Sequence, residues 1–262
     1  MSRTLKMLVA IIVIVGQAAI TYAEKPFVMS KSGKKTYFSK ITQDSSGNLS
    51  VKSGSISRKI KAGNYKYARV PLPSLVKKAA KALRAKKYDS AVSLFKKAYS
   101  EYKFVGWGAF CVYGSAQAYM DMGEKNKAIK SLLRLKGKPR DPDNMPYYIK
   151  AKRLLAQVYV SENQYDNAKI VLKELGSCNN DDVAAFSNNL LGDILIKQGK
   201  RKDATLMYLR TALLFSKKNS KERPEALLKV IKILKEDKNN KYKTFEKMLR
   251  ADYPSSKFIK SL

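Results

Sequence analysis

Catalysis needs side chains that move protons, hold metals or attack electrophiles, and this chain has few of them. Its 262 residues include no histidine, which removes the commonest general base and metal ligand. The two cysteines, Cys111 and Cys178, lie 67 positions apart, without metal-type spacing. Asn179-Asn180-Asp181-Asp182 offers oxygen ligands, but the alternating acids, central glycine and closing glutamate of a calcium loop are missing. The run reads instead as a helix cap. No glycine-rich phosphate loop and no carboxylate pair stands out. The expectation is a protein that is not an enzyme and uses no cofactor and no metal.

The residues suited to binding are more numerous. The formal charge is +32, mostly lysine spread along the whole chain. Charge of this size attracts polyanions and opposes compaction. It reads equally as a solvated lysine surface or as a surface for an anionic polymer. Tyrosines interleave with lysines at Tyr65-Lys66-Tyr67 and Lys241-Tyr242-Lys243, a pattern that can stack on bases while cations meet phosphates. The single tryptophan, Trp107, stands in Gly106-Trp107-Gly108 near Tyr99, Tyr102, Phe104 and Phe110. That cluster either fills a junction between helical hairpins or forms a binding hot spot.

The first residues read as an address. Met1–Lys6 carries Arg3 and Lys6, Met7–Ile20 is almost wholly apolar, and Thr21-Tyr22-Ala23 offers small residues for a cut after Ala23. This is the three-part pattern of a secretory signal peptide over 1–23. The apolar run is short for a span and Gln17 interrupts it. An uncleaved N-terminal anchor is the competing reading. No cysteine lies near the cut, so a lipoprotein anchor is excluded. The mature chain would start at Glu24, without an integral span, in a periplasmic or secreted location. Cys111 and Cys178 could pair there, a question that geometry decides.

The elements that position these residues follow from spacing. Ala79/Ala91, Ala116/Ala128, Ala156/Ala168 and Gly192/Ala204 are four small-residue pairs, each 12 positions apart. Small residues at fixed points on neighbouring helices let backbones approach, as in a stack of helical pairs. Apolar stripes support each hairpin: Leu75, Ala79 and Leu83 before a turn at Lys87-Tyr88-Asp89, with Ala91, Phe95 and Ala98 after it. Asp89, Asp166 and Asp203 fall at the starts of second helices, where acids suit the positive dipole end. Residues 24–71 differ. Ser32-Gly33, Ser45-Ser46-Gly47-Asn48, Ser53-Gly54 and Gly63-Asn64 separate short β-forming runs, with Leu49/Val51 and Ile56/Ile60 in strand alternation. Four or five short strands are expected, with a disordered Ser/Lys-rich spacer as the alternative. The fold class is therefore all-α, a helix-turn-helix repeat solenoid of four to five hairpins over 72–262, preceded by a small β-rich module over 24–71.

The helical part resembles the tetratricopeptide repeat. That family has a small eighth residue, alanine at the twentieth, a large apolar at the twenty-fourth and often proline at its end. The matches are Ala79-Ala91-Phe95-Ala98, Ala116-Tyr119-Ala128-Leu132, Leu155-Ala156-Tyr159-Ala168-Leu172 and Leu191-Gly192-Ala204-Tyr208. The family's early tryptophan is replaced by Leu75, Val112, Lys152 and Asn188. Residues from Glu222 onward read as a degenerate fifth hairpin and cap. Asp252-Tyr253-Pro254-Ser255-Ser256 resembles an ending common in repeats of bacterial envelope proteins.

The resemblance implies a scaffold for protein–protein interaction, in which first helices line a concave groove. The groove positions carry over to Phe110, Tyr113 and Gln117, to Lys150, Arg153 and Gln157, and to Phe186, Asn189 and Asp193. Aromatics, a basic pair and amides together suit an extended peptide with an acidic group. The expected partner is a protein or peptide in a bacterial cell envelope. The alternative is a basic polyanion binder for acidic glycan, lipopolysaccharide or nucleic acid.

Overall fold

The structure is a computed structural model that describes residues 25–176, 178–216 and 221–262. The signal peptide expected over 1–23 and the start at Glu24 lie outside the described residues. The described residues divide into two compact units, which fall within Met1–Gly114 with Pro139–Asn144 and within Ser115–Lys138 with Met145–Leu262.

The first unit opens with six strands where four or five were expected: β1 (Phe27–Met29), β2 (Lys35–Tyr37), β3 (Lys40–Gln43), β4 (Leu49–Ser53), β5 (Ile56–Ile60) and β6 (Tyr67–Arg69). They form two antiparallel three-stranded sheets, ordered β2-β1-β6 and β3-β4-β5. The unforeseen strand is β3, whose Lys-Ile-Thr-Gln has one buried residue, Ile41, too little for a periodic signal. Leu49 and Val51 on the central strand β4 are buried, as alternation requires. Ile56 is 71% exposed and Ile60 is half-buried on β5, an edge strand whose other residues are exposed. Gly54, at φ +59°, makes the two-residue turn between β4 and β5.

The strands lean on the first helical hairpin. That hairpin is α1 (Ser74–Arg84) packed on α2 (Tyr88–Tyr102). Gln43 Nε2 donates to the Ser100 carbonyl at 3.0 Å, and Phe104 N donates to Gln43 Oε1 at 2.6 Å. A π-helical kink over Lys103–Trp107, with Gly106 at φ +98°, follows α2. It leads into α3 (Gly108–Asp121). The Gly106 Cα faces Arg69 and Asp141 so closely that a Cβ would come within 3.1 Å of Arg69 Cγ. Arg69 is buried and pairs with Asp141 and Asp143, which ties the Pro139–Asn144 segment to β6.

The second unit is a run of helices, each packed on the next. These are α4 (Lys125–Leu132), α5 (Met145–Ser161), α6 (Tyr165–Gly176), α7 (Asp181–Lys197), α8 (Arg201–Leu214), α9 (Arg223–Glu236) and α10 (Tyr242–Asp252). The residues of all four small pairs are buried. Gly192 shows why size matters: a Cβ there would lie 2.4 Å from the Tyr208 ring of α8. Asn180 caps α7 by accepting from Val183 N at 3.1 Å, as the Asn-Asn-Asp-Asp run suggested.

One turn is repeated in every hairpin. Lys86, Gly123, Asn163, Gly199 and Lys238 all have positive φ, between 53° and 76°. The next residue's N–H returns to a carbonyl five positions back, as in Lys87 N to Ala82 O, Glu124 N to Tyr119 O and Asn239 N to Leu234 O, at 2.8 to 3.0 Å. This is a Schellman closure, which satisfies carbonyls left open at a helix end and reverses the chain. Two of the five positions are glycine; the rest accept the left-handed conformation.

The fifth hairpin, α9 with α10, is closed by the C-terminal segment. Tyr253, Phe258, Ile259 and Leu262 pack against the buried Ala212, Ala226, Leu227, Leu228, Ile231 and Leu249. Ser256 Oγ accepts from Phe258 N at 3.3 Å and starts the last helical turn, Lys257–Ser261. No helix among the described residues is long and apolar enough to cross a membrane.

Both cysteines are free thiols. Cys111 is buried, and burial pushes its thiol up to about 12; Cys178 is half-buried in the other unit. A maleimide added to the native chain is expected to label Cys178 and to reach Cys111 only in denaturant. Equal labelling rates, read by mass, would contradict the burial of Cys111.

Candidate functional site

Helices α5, α7 and α9 are the first helices of hairpins three, four and five. Arg153 and Asn189 each stand three residues before the small residue of their helix, Ala156 and Gly192. Phe186 precedes Asn189 by three, and Asp193 follows it by four. Helical spacing puts these side chains on one face.

Arg153 is the centre of the face. Its guanidinium lies 4.1 Å from the Phe186 ring centroid and donates through Nη2 to Glu222 Oε1. Stacking on an aromatic and pairing with a carboxylate are both properties of arginine's planar group. Glu222, just before α9, is held a second time: Asn189 Nδ2 donates to its backbone carbonyl at 3.0 Å. Asn189 is 3% exposed, and its Oδ1 has no hydrogen-bond partner among the described residues. Burial raises the Glu222 carboxyl above the ordinary range despite Arg153, and nearby Glu225 and Asp182 add to the rise.

One turn further along α7, Asp193 anchors a second polar group. It accepts from Tyr208 Oη at 2.6 Å and from Lys229 Nζ at 2.7 and 3.0 Å. Lys229 also pairs with Glu225 at 2.7 Å. Burial alone would lower the Lys229 ammonium, but Asp193 and Glu225 hold it above the ordinary lysine value. Burial and the hydrogen bond to Asp193 raise the Tyr208 hydroxyl.

Of the nine residues expected from the sequence, the structure gathers Arg153, Phe186, Asn189 and Asp193. Lys150 and Gln157 are exposed on α5. Lys150 Nζ sits 5.3 Å from the Tyr147 ring, while Arg153 is committed to Phe186 and Glu222. The expected basic pair is thus two cations with different contacts. Phe110 and Tyr113 belong to the first unit. Phe110 meets Phe95 and Trp107 edge-on, with centroids 6.0 and 5.8 Å apart. Tyr113 is half-buried, which raises its hydroxyl. Gln117 is half-buried in the second unit.

Glu222, Lys229 and Tyr208 were not anticipated as members of this face. In sequence Tyr208 reads as a packing residue, and the degenerate fifth hairpin gives no register for Lys229. No group of three or more His, Cys, Asp or Glu side chains among the described residues is arranged to hold a metal ion. What the face offers is a stacked guanidinium, a buried amide and a line of ion pairs. Those groups recognise charge and hydrogen-bonding polarity.

The hairpins have recognisable relatives. The model of the tetratricopeptide repeat-like domain matches residues 74–233. The chain belongs to this family. Among solved structures, the apo form of RapI is similar at 15% identity, over 68% of this chain and 68% of that one, with a TM-score of 0.54. The MamA RS-1 ArsTM double mutant is similar at 13% identity, over 70% of this chain and 97% of that one, with a TM-score of 0.51. At these identities the likeness is one of fold. A comparison with curated protein sequences finds no significant match. The tetratricopeptide match ends within α9, before the Schellman turn at Lys238 that closes the fifth hairpin. Its fold is that of a protein–protein interaction scaffold.

Proposed function

We propose that this tetratricopeptide protein is an exported, non-catalytic scaffold of a bacterial cell envelope, which takes an extended acidic peptide of a partner on its α5–α7–α9 face. The observation that carries this reading is Arg153, stacked on Phe186 and paired with a carboxylate. Its planar guanidinium suits the acidic side chain of a peptide. The net charge of +32 would speed encounter with an acidic segment. Export is supported by the charged, apolar and small-residue pattern over 1–23, and the envelope by the Tyr253-Pro254-Ser255-Ser256 ending. The absence of histidine supports a role without catalysis.

The test is charge reversal. Lys150→Glu with Arg153→Glu is expected to abolish capture of the partner from an envelope extract while the circular dichroism spectrum is kept. Unchanged capture by a folded double variant would reject this face.

A further inference from the structure

Glu222 sits where a bound acid would sit. It lies 69 positions from Arg153 in sequence yet bonds it directly, with Phe186 of α7 beneath the guanidinium and Asn189 of α7 bonded to the Glu222 carbonyl. Side chain and main chain of the same residue are thus fastened to α5 and α7. The result is a strap laid over the face that the proposed ligand would use. The ion pair is half-buried, with side chains 26% and 17% exposed, so water has limited access to either partner. Glu225 and Asp182 oppose the negative charge of Glu222, which weakens the hold of the strap. An external carboxylate can make the same bond to Arg153 as Glu222 returns to solvent.

The geometry points to Glu222 as an internal competitor for Arg153, displaced only by a peptide that carries an acidic side chain. This rests on the reading of the α5–α7–α9 face given above. A neutral peptide has nothing to exchange for the lost ion pair, so the strap makes the face selective for acid. A binding-competent state populated at about a tenth weakens apparent affinity about tenfold, and removing the competitor restores it.

The test is fluorescence anisotropy of the purified chain with a fluorescein-labelled, end-blocked peptide of alternating glutamate and glycine, at about 0.15 M salt. The glutamine counterpart serves as the neutral probe. Glu222→Gln and Glu222→Ala are expected to bind the acidic peptide on the order of tenfold more tightly than the unchanged chain. Adding Arg153→Gln should remove that gain, and the neutral probe should not respond. Arg153-dependent binding that either folded Glu222 variant leaves equal or weaker would overturn the strap and keep the face. Binding indifferent to Arg153, or absent from every variant, would overturn the face and the strap with it. A melting curve for each variant separates these outcomes from loss of fold.

Discussion

Replacing Arg223 with alanine is expected to destabilise the second unit by about 3–5 kcal/mol, the cost of breaking a buried ion pair from one side. Arg223 is 5% exposed. Its Nη1 pairs with Asp252 at 2.9 Å, its Nε donates to the Ala212 carbonyl at 2.7 Å, and its guanidinium lies 5.8 Å from the Tyr253 ring. One side chain therefore ties α8, the start of α9 and the end of α10. Alanine strips the guanidinium from the buried Asp252 carboxylate and takes a donor from a buried carbonyl. Urea unfolding followed by far-ultraviolet circular dichroism would read the loss as a lower midpoint. A shift worth less than about 1 kcal/mol, within the range of an exposed pair, would contradict this role.

Trp107→Ala is expected to cost the first unit a similar amount, about 3–5 kcal/mol, as large-to-small changes at buried aromatics do. Trp107 is 3% exposed, which leaves almost no surface for a partner and sets aside the hot-spot reading. Its Nε1 donates to the Val70 carbonyl at 3.1 Å, and its ring meets Phe110 edge-on. It thereby fixes the end of the β module to the helices of the same unit. Trp107→Phe separates the two contributions. It keeps most of the packing and removes the donor, with an expected loss of about 1–3 kcal/mol for the buried carbonyl. Near-ultraviolet circular dichroism of the alanine variant during urea unfolding checks the larger figure. A variant as stable as the unchanged chain would mean that Trp107 does not hold the module.

The packing of the helices was legible because it depends on residue size at fixed spacing. Ala79, Ala91, Ala116, Ala128, Ala156, Ala168 and Ala204 are all inaccessible to solvent, as the 12-residue interval implied. Turns were legible where glycine marks them, at Gly123 and Gly199. They were less so at Lys86, Asn163 and Lys238, where a side chain occupies the left-handed position. The fifth hairpin lost its register because Ile231 fills the place that alanine or glycine holds elsewhere. Strand β3 gave no signal because one buried isoleucine makes no period. On the candidate face, Arg153, Phe186, Asn189 and Asp193 are groove positions implied by the tetratricopeptide resemblance, and Phe186, Asn189 and Asp193 share one face of α7 by helical spacing. Nothing in that spacing implies their partners. Glu222 and Lys229 reach them from 69 and 36 positions away, and only the stacking of hairpins brings those charges together.

The proposed function requires that a defined acidic segment be held by specific contacts on the α5–α7–α9 face, beyond the general pull of a lysine-rich surface. Salt separates the two. The screening length falls from about 8 Å at 0.15 M to about 3 Å at 1 M, which weakens diffuse attraction far more than a half-buried pair. The measurement is affinity capture from envelope extract with the purified chain at both salt concentrations. One defined protein is expected to be retained at high salt by the unchanged chain and lost from the Lys150→Glu, Arg153→Glu variant. Release of everything at high salt, with only glycan, lipid or nucleic acid held at low salt, would contradict it.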